Sequence, residues 1–168
     1  MGCQFIQINL HHNKAVLALL CQKLPVEELN IALIQEPLVY GDTLSGLCNR
    51  RGTLFSAGPC IAPRSCIFVR NTFHTFLLSE LCFRDVTWVR VTCTSEGSNC
   101  KLIVTAAYLC CGSDIPPLTD RLRDAIDSCS RNKMHFIIGC GGKAHCIIWW
   151  SMDIKLNAVF GWYRTKYS

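Results

Sequence analysis

The chain of 168 residues has little charge and lacks the long apolar runs of membrane proteins. Charged residues make up 17% of the sequence, whereas hydrophobic residues make up 50%, so we expect much of the chain to be buried or to require a partner. No apolar run approaches the roughly 20 residues of a membrane-spanning helix, and no signal peptide precedes the first predicted strand. We therefore expect a soluble intracellular protein of the nucleus or cytoplasm, not secreted and without a membrane partner.

Paired cysteine motifs are also missing, although the chain contains 13 cysteines. Their odd number and irregular spacing argue against the disulfide framework of a small secreted protein. No pair of Cys-x-x-Cys knuckles occurs, and the segment from Cys140 to Cys146 lacks the partner that would complete a zinc finger. We predict that most cysteines are small buried hydrophobic residues in a reducing compartment, and zinc held by scattered His and Cys residues remains an alternative.

No dense basic block occurs either. The formal net charge of +5 permits contact with a polyanion such as a nucleic acid, but the lysines and arginines are spread along the chain. The Gly-Gly-Lys segment at 141–143 is not a phosphate-binding P-loop, because Ile137 stands where glycine is needed and Ala144 where Ser or Thr is needed.

Strand and helix patterns combine in a way typical of an α/β layer. Polar and apolar residues alternate over 4–10, a helix capped by Asn13 follows, and a second apolar strand covers 30–35. The predicted apolar face of that helix consists of Ala15, Val16, Leu19, Leu20 and Leu24. Further strands are predicted at 52–57, 65–70, 74–80, 85–94, 101–109 and 134–139, with a helix before the last one whose apolar positions are Leu118, Leu122, Ala125, Ile126 and Cys129. Without repeats or linkers, this pattern predicts one domain.

Polar or flexible groups stand at the ends of four predicted strands. Asn9 ends the first strand, Glu36 ends the second before Pro37, Tyr108 ends a third, and a glycine loop begins at Gly139. A carboxylate at a strand end can bind a divalent cation in the crevice where α/β folds place ligands. Taken singly, Glu36 is also compatible with a turn residue, Asn9 with a strand-end cap and Tyr108 with an amphipathic core tyrosine.

These residues lie in segments that resemble the apurinic-endonuclease-like domain of non-LTR retrotransposon polyproteins of the insect type, a branch of the endonuclease/exonuclease/phosphatase superfamily. The segments are FIQINLHHNKAVLALLCQKL, IALIQEPLVYGD, SCIFVRN, FLLSELCFRDVTWVRV, TAAYL, IPPLTDRLRDAI and FIIGCGGKAHCIIWWSMDI, in the family's order. The resemblance implies a four-layered α/β sandwich of two facing mixed sheets flanked by helices. It covers residues 1–150 of a single incomplete domain over 1–168, whose tail at 151–168 diverges and whose C-terminal strands are expected to be missing.

The resemblance also implies Mg²⁺-dependent cleavage of DNA. It assigns the metal to Glu36 with help from Asn9, and the phosphate contact to Tyr108. A loop in the family supplies an Asp that orients water and an Asn that holds phosphate, but here Gly141 replaces the Asp and Lys143 replaces the Asn, while His145 keeps a loop histidine. The family's later Ser-Asp-His motif is absent from the sequence.

Three interpretations follow from these losses. The first is a degenerate, truncated endonuclease domain whose DNA-cleaving activity is lost or strongly impaired, since Lys143 carries the charge opposite to that of the missing carboxylate. The second is a non-catalytic nucleic-acid-binding module that uses Lys143, Arg164 and Lys166. The third is a translated relic without a role. Apolar segments such as 147–150 are expected to be exposed and to lower solubility.

Overall fold

The computed structural model describes residues 4–26, 29–40, 43–44, 46–47, 51–58, 62–95, 98–109, 120–132 and 134–141. Its elements, in chain order, are β1 (Gln4–Asn9), α1 (Lys14–Val26), β2 (Leu29–Gln35), β3 (Val39–Tyr40), β4 (Thr43–Leu44), β5 (Gly52–Ser56), β6 (Ser65–Arg70), β7 (His74–Leu77), a 3-10 helix (Ser79–Leu81), β8 (Val86–Ser95), β9 (Ser98–Tyr108), α2 (Asp120–Arg131) and β10 (His135–Gly141). The predicted tail at 151–168 and the question of missing C-terminal strands lie outside these residues.

Two four-stranded mixed sheets form the centre of the molecule. The first has the strand order β1-β2-β6-β5 and the second has the order β10-β9-β8-β7. In each sheet the two strands that are connected through a helix are parallel, β1 with β2 and β9 with β10. The other strand pairs are antiparallel. The four-layered α/β sandwich expected from the sequence is confirmed in this arrangement.

The alternation of side chains along the strands separates the core into three layers. Inward-facing residues of both sheets pack together between them: Phe5, Ile31, Leu33, Ile67, Val69, Val89, Val91, Leu102, Val104 and Ala106. The opposite face of the first sheet packs on α1, and that of the second sheet packs on α2. Because successive side chains in a strand point to opposite faces, the polar residues at the inward positions are held between the sheets.

Helix α1 begins where the sequence predicts, since the Asn13 side-chain oxygen accepts a hydrogen bond of 2.8 Å from the backbone N–H of Ala15. Its buried face is formed by Leu17, Leu20 and Leu24. The inclusion of Leu19 in that face was wrong, because Leu19 is 40% exposed. Leu20 follows Leu17 by three residues and Leu24 follows Leu20 by four, a spacing that keeps all three on the inward face and leaves Leu19 on the solvent side.

The strand predicted at 74–80 is shorter than expected. Strand β7 ends at Leu77, and a 3-10 helix occupies Ser79–Leu81. The backbone N–H of Leu78 still donates to the Trp88 carbonyl at 3.0 Å, whereas that of Leu81 turns back to the Leu78 carbonyl at 3.0 Å. The chain therefore leaves the sheet after Leu78. Among the residues that the structure describes, no helix has the length and apolar character needed to cross a membrane.

Candidate active site

Three segments of the first sheet meet at one edge. Asn9 ends β1 and is paired with Gln35 in the parallel register, so Glu36 follows directly beside it. The antiparallel strand β6 starts at this same edge, and the residue before it, Arg64, accepts a backbone hydrogen bond of 2.8 Å from Glu36. The parallel and antiparallel pairings together place Asn9, Glu36 and Arg64 in a row along the edge of the sheet.

The second sheet presents a matching row. Tyr108 ends β9, and its backbone N–H donates to the Asp85 carbonyl at 2.7 Å just before β8. On its other side Tyr108 is paired with Gly141, the last residue of β10. The two rows are joined by a backbone hydrogen bond of 2.7 Å from Arg64 to Arg84. The candidate site is the crevice between these two rows of strand ends.

The backbone around Glu36 is held in a conformation that residues other than glycine rarely adopt. Glu36 has φ of +45°, and His11 and His12, which face it, have φ of +48° and +53°. The Glu36 carbonyl accepts the N–H of His12 at 3.0 Å, while its own N–H donates to Arg64. Such conformations carry strain and persist where the surrounding structure holds them, so the direction of the Glu36 side chain is fixed by its neighbours.

The Glu36 carboxylate is surrounded by hydrogen-bond donors. Its Oε2 lies 3.1 Å from Nδ1 of His11, and its side chain is only 18% exposed. Burial by itself raises the pKa of Glu36, but hydrogen bonds from Asn9 and Tyr108 and the charges of His11 and His12 lower it, and the net shift of the pKa is downward. Glu36 is therefore an anion at neutral pH.

The Asn9 side chain is oriented by the loop that follows it. Its Oδ1 accepts the backbone N–H of His11 at 2.8 Å, which directs the amide NH₂ toward Glu36, to which it is hydrogen bonded. The structure thus brings together Asn9, Glu36 and Tyr108, three of the four strand ends singled out from the sequence. The start of the fourth group was misplaced, because Gly139 lies inside β10, which continues to Gly141. Tyr108 is also 7% exposed, so its ring belongs to the core while its hydroxyl reaches the carboxylate.

The donor set is compatible with a magnesium ion held mainly by one carboxylate. Within the described ranges, no group of three or more His, Cys, Asp and Glu side chains converges to hold a metal. Magnesium in enzymes commonly binds one or two carboxylates and completes its shell with water and substrate phosphates. Glu36 supplies an ionised oxygen ligand, and the Asn9 Oδ1 keeps a second lone pair beside its hydrogen bond to His11.

Glutamine side chains of the first sheet hold the end of β10, a feature that the sequence reasoning missed. Gln35, which is fully buried, donates through Nε2 to the Gly139 carbonyl at 3.4 Å, and Gln7 donates to the Cys140 carbonyl. A Cβ at Gly139 would lie 2.5 Å from Cδ1 of Leu33, so only glycine permits this close approach of the two sheets. The signal in the sequence that could have predicted these contacts is the presence of two glutamines at strand positions that point between the sheets.

A charged pair beside Tyr108 was also missed. The Arg64 guanidinium carbon lies 5.1 Å from the centroid of the Tyr108 ring, and its Nε lies 3.6 Å from Oδ1 of Asp85. Both side chains are partly exposed, at 31% for Arg64 and 37% for Asp85. The strand-end reasoning considered only residues that follow strands, whereas Arg64 and Asp85 precede the antiparallel strands β6 and β8.

Comparison with known proteins decides the fold. No family model matches the sequence, and no curated protein matches it. The endonuclease domain of TRAS1, a telomere-specific non-LTR retrotransposon, superimposes with a TM-score of 0.58 and 19% identity, over 80% of this chain and 57% of that one. The chain has the endonuclease/exonuclease/phosphatase fold. D. rerio TDP2, in complex with a single-strand DNA product, superimposes with a TM-score of 0.53 and 14% identity, over 80% of this chain and 58% of that one.

The chain spans less than two thirds of the length of either of these structures. The replacement of an Asp by Gly141, which the resemblance described above implies, stays a prediction. The register of β10 with β9 places Gly141 beside Tyr108, at the site's edge. The other predicted loop and tail residues, Lys143, His145, Arg164 and Lys166, lie outside the described residues, so their roles stay predictions.

Proposed function

We propose that the chain is a degenerate retrotransposon-derived endonuclease domain that retains a cation-binding and phosphate-binding site but has lost most or all of its DNA-cleaving activity. The observation that carries this proposal is the convergence of Asn9 and Tyr108 on an ionised Glu36, at an edge where the strand paired with Tyr108 ends in Gly141. A glycine offers no side chain that could accept a proton from water.

Each residue of the site has a defined part in this proposal. A magnesium ion, when bound at Glu36 and Asn9, would neutralise charge on a phosphate and its leaving oxygen. With a phosphodiester bound, Tyr108 would turn its single hydroxyl proton from the Glu36 carboxylate to a non-bridging phosphate oxygen and so orient the phosphodiester next to Glu36. Glu36 itself would stay ionised throughout, because its pKa lies below the ordinary value.

The step without a residue is the activation of water. General-base help contributes about 10²–10⁴-fold to a rate, and one oxyanion-type donor contributes about 10²–10³-fold. Replacement of both the Asp, by Gly141, and the Asn, by Lys143, removes these contributions, and Lys143 has the wrong charge to replace a base. The remaining groups would bind a DNA phosphate more effectively than they would promote its hydrolysis.

A plasmid-nicking assay with Mg²⁺ or Mn²⁺ tests this proposal. We expect no turnover above background from the unaltered chain and no further loss in Glu36→Ala. A robust nicking rate that disappears in Glu36→Ala would refute the loss of activity. The double substitution Gly141→Asp with Lys143→Asn restores the family's residues at the two replaced positions, and we expect it to raise the rate above that of the unaltered chain.

A non-catalytic nucleic-acid-binding module is the second candidate function. The observation that favours it is the presence of a cationic side chain, Arg64, beside Tyr108 in a site that has lost a carboxylate. Binding of this kind depends on phosphate charge and weakens steeply with salt. Both candidate functions predict little or no nicking. They differ in whether the crevice still binds a divalent cation at Glu36, which titration of the unaltered chain and of Glu36→Gln with Mn²⁺ resolves.

A further inference from the structure

We propose that Arg64 is the residue that binds a nucleic-acid phosphate at this site, with Asp85 setting the direction of its guanidinium group. The inference rests on the proposed phosphodiester site and names a binding residue within it. Neither the sequence patterns nor the resemblance singled out Arg64 or Asp85.

The position of Arg64 is fixed by both of its backbone groups. Its N–H donates at 2.7 Å to the carbonyl of Arg84, in the turn that leads into β8 of the second sheet, and its carbonyl accepts the N–H of Glu36 at 2.8 Å. The residue thus bridges the two sheets at the point where they form the crevice. The backbone of Arg64 is hydrogen bonded to that of Glu36, and its side chain extends from there over the ring of Tyr108.

The contacts of the guanidinium leave most of its donors available. With the described residues, its guanidinium forms one stacking contact, over the Tyr108 ring at 5.1 Å, and one ion pair, from Nε to Asp85 at 3.6 Å. The ion pair is longer than the 2.7–2.9 Å or so of a charge-assisted hydrogen bond, and Asp85 Oδ1 has no hydrogen-bond partner. Neither terminal nitrogen of Arg64 makes a hydrogen bond or ion pair with a described residue, so both can bind an anion.

The charge pattern of the crevice favours a phosphodiester as that anion. The anionic Glu36 and the cationic Arg64 both contact Tyr108, one at its hydroxyl and the other over its ring face. A guanidinium is planar and can bind two oxygens of one phosphate at once. A phosphate held by Arg64 would therefore lie beside the Tyr108 hydroxyl and face the cation that Glu36 would hold.

The chain contains a matched control for this arrangement. Arg90 lies 5.1 Å from the centroid of the Phe76 ring, the same distance as in the Arg64–Tyr108 pair. It belongs to β8 and is exposed, in the middle of the strand rather than at the site's edge. Loss of Arg90 removes the same charge and the same kind of stacking contact without touching the crevice.

The experiment measures binding of a fluorescein-labelled 12-nucleotide single-stranded DNA by anisotropy, in EDTA, over a series of salt concentrations. One phosphate contact contributes about 0.7 to the slope of log affinity against log salt for single strands. We expect Arg64→Gln to lower that slope by about 0.7 and Arg90→Gln to leave it unchanged. Equal slopes for the two variants, with the near-ultraviolet circular dichroism spectrum of the chain preserved in both, would overturn the inference.

Arg64→Lys keeps the test decisive should Arg64→Gln fail to fold. Lysine keeps the charge but binds as a point charge, so we expect the same salt slope with weaker affinity, and an affinity equal to that of the unaltered chain would overturn the inference. Competition by inorganic phosphate distinguishes a free-anion site from a strand-binding site, because a strand site releases the oligonucleotide only at a large excess of phosphate. A low phosphate concentration that displaces the DNA would overturn the assignment to nucleic acid.

The proposed function can fail separately from this inference. Glu36→Gln should abolish Mn²⁺ binding without weakening metal-free DNA binding, because it removes a negative charge from the crevice. Normal DNA binding together with no Mn²⁺ binding in the unaltered chain would refute the proposed cation site and leave Arg64 as the phosphate ligand. Normal Mn²⁺ binding with no effect of Arg64→Gln would refute only the role of Arg64.

Discussion

The close contact of the two sheets at Gly139 makes a stability prediction whose size follows from the structure. In Gly139→Ala the new Cβ would lie 2.5 Å from Cδ1 and 3.1 Å from Cβ of Leu33. Rotation of the Leu33 side chain could move Cδ1 but not Cβ, because the position of a Cβ is set by the backbone. Leu33 is also 1% exposed and is part of the core between the sheets, so its side chain has little room to move. Overpacking of a filled core costs about 1–3 kcal/mol, and the sheets must separate locally to accommodate the methyl group.

The expected cost can be measured by thermal and urea unfolding. For a domain of this length each kcal/mol shifts Tm by roughly 2–4 °C, so Gly139→Ala should lower Tm by about 2–12 °C. Gly58→Ala is the matched control, because a Cβ there would meet no atom within 4 Å, and it should leave Tm unchanged or slightly raised. Equal unfolding free energies for the two variants would refute the tight approach of β10 to β2.

Two further predictions concern Glu36 and the start of α1. Because the pKa of Glu36 is lowered in the folded state, its ionised form stabilises the fold above the ordinary carboxyl pKa of about 4.3, and this stabilisation is lost as the pH falls through the folded pKa. The difference in unfolding free energy between the unaltered chain and Glu36→Gln should therefore shrink from neutral pH to below pH 4 or so. A difference that does not change with pH would contradict the assigned hydrogen bonds. Asn13→Ala removes the N-cap of α1 and should lower the free energy of unfolding in urea by about 1 kcal/mol, whereas Asn13→Ser keeps a capping oxygen and should lower it less. Equal losses of unfolding free energy in the two variants would contradict the cap.

The sequence was sufficient to predict the strands and helices in which apolar residues recur regularly over many positions. The strand predicted at 65–70 coincides with β6, and the helical face that includes Leu122, Ala125 and Cys129 is buried as expected. The pair β3 and β4 was missed because each has two residues, too few for any period to show. The end of β7 was misplaced because Leu77 and Leu78 continue an apolar run while the backbone already turns.

The site was predictable only where it follows the ends of parallel strands. Asn9 and Glu36 could be placed together because β1 and β2 are parallel and adjacent along the chain. Arg64 and Asp85 could not, since their arrival at the same edge depends on which strands pair in antiparallel fashion and on how the sheets stack. Gln7 and Gln35 lie within two predicted strands and were not singled out from the sequence, and only the facing β10 shows what they bind.

The central claim is that three strand ends assemble an anionic site for a divalent cation around Glu36. Titration with Mn²⁺, followed by the loss of the free-ion electron paramagnetic resonance signal, tests it most directly, because manganese accepts the same oxygen ligands as magnesium. We expect that the unaltered chain binds Mn²⁺, that added Mg²⁺ displaces it, and that Glu36→Gln abolishes this binding. Mn²⁺ binding that is the same in the unaltered chain and in Glu36→Gln would contradict it.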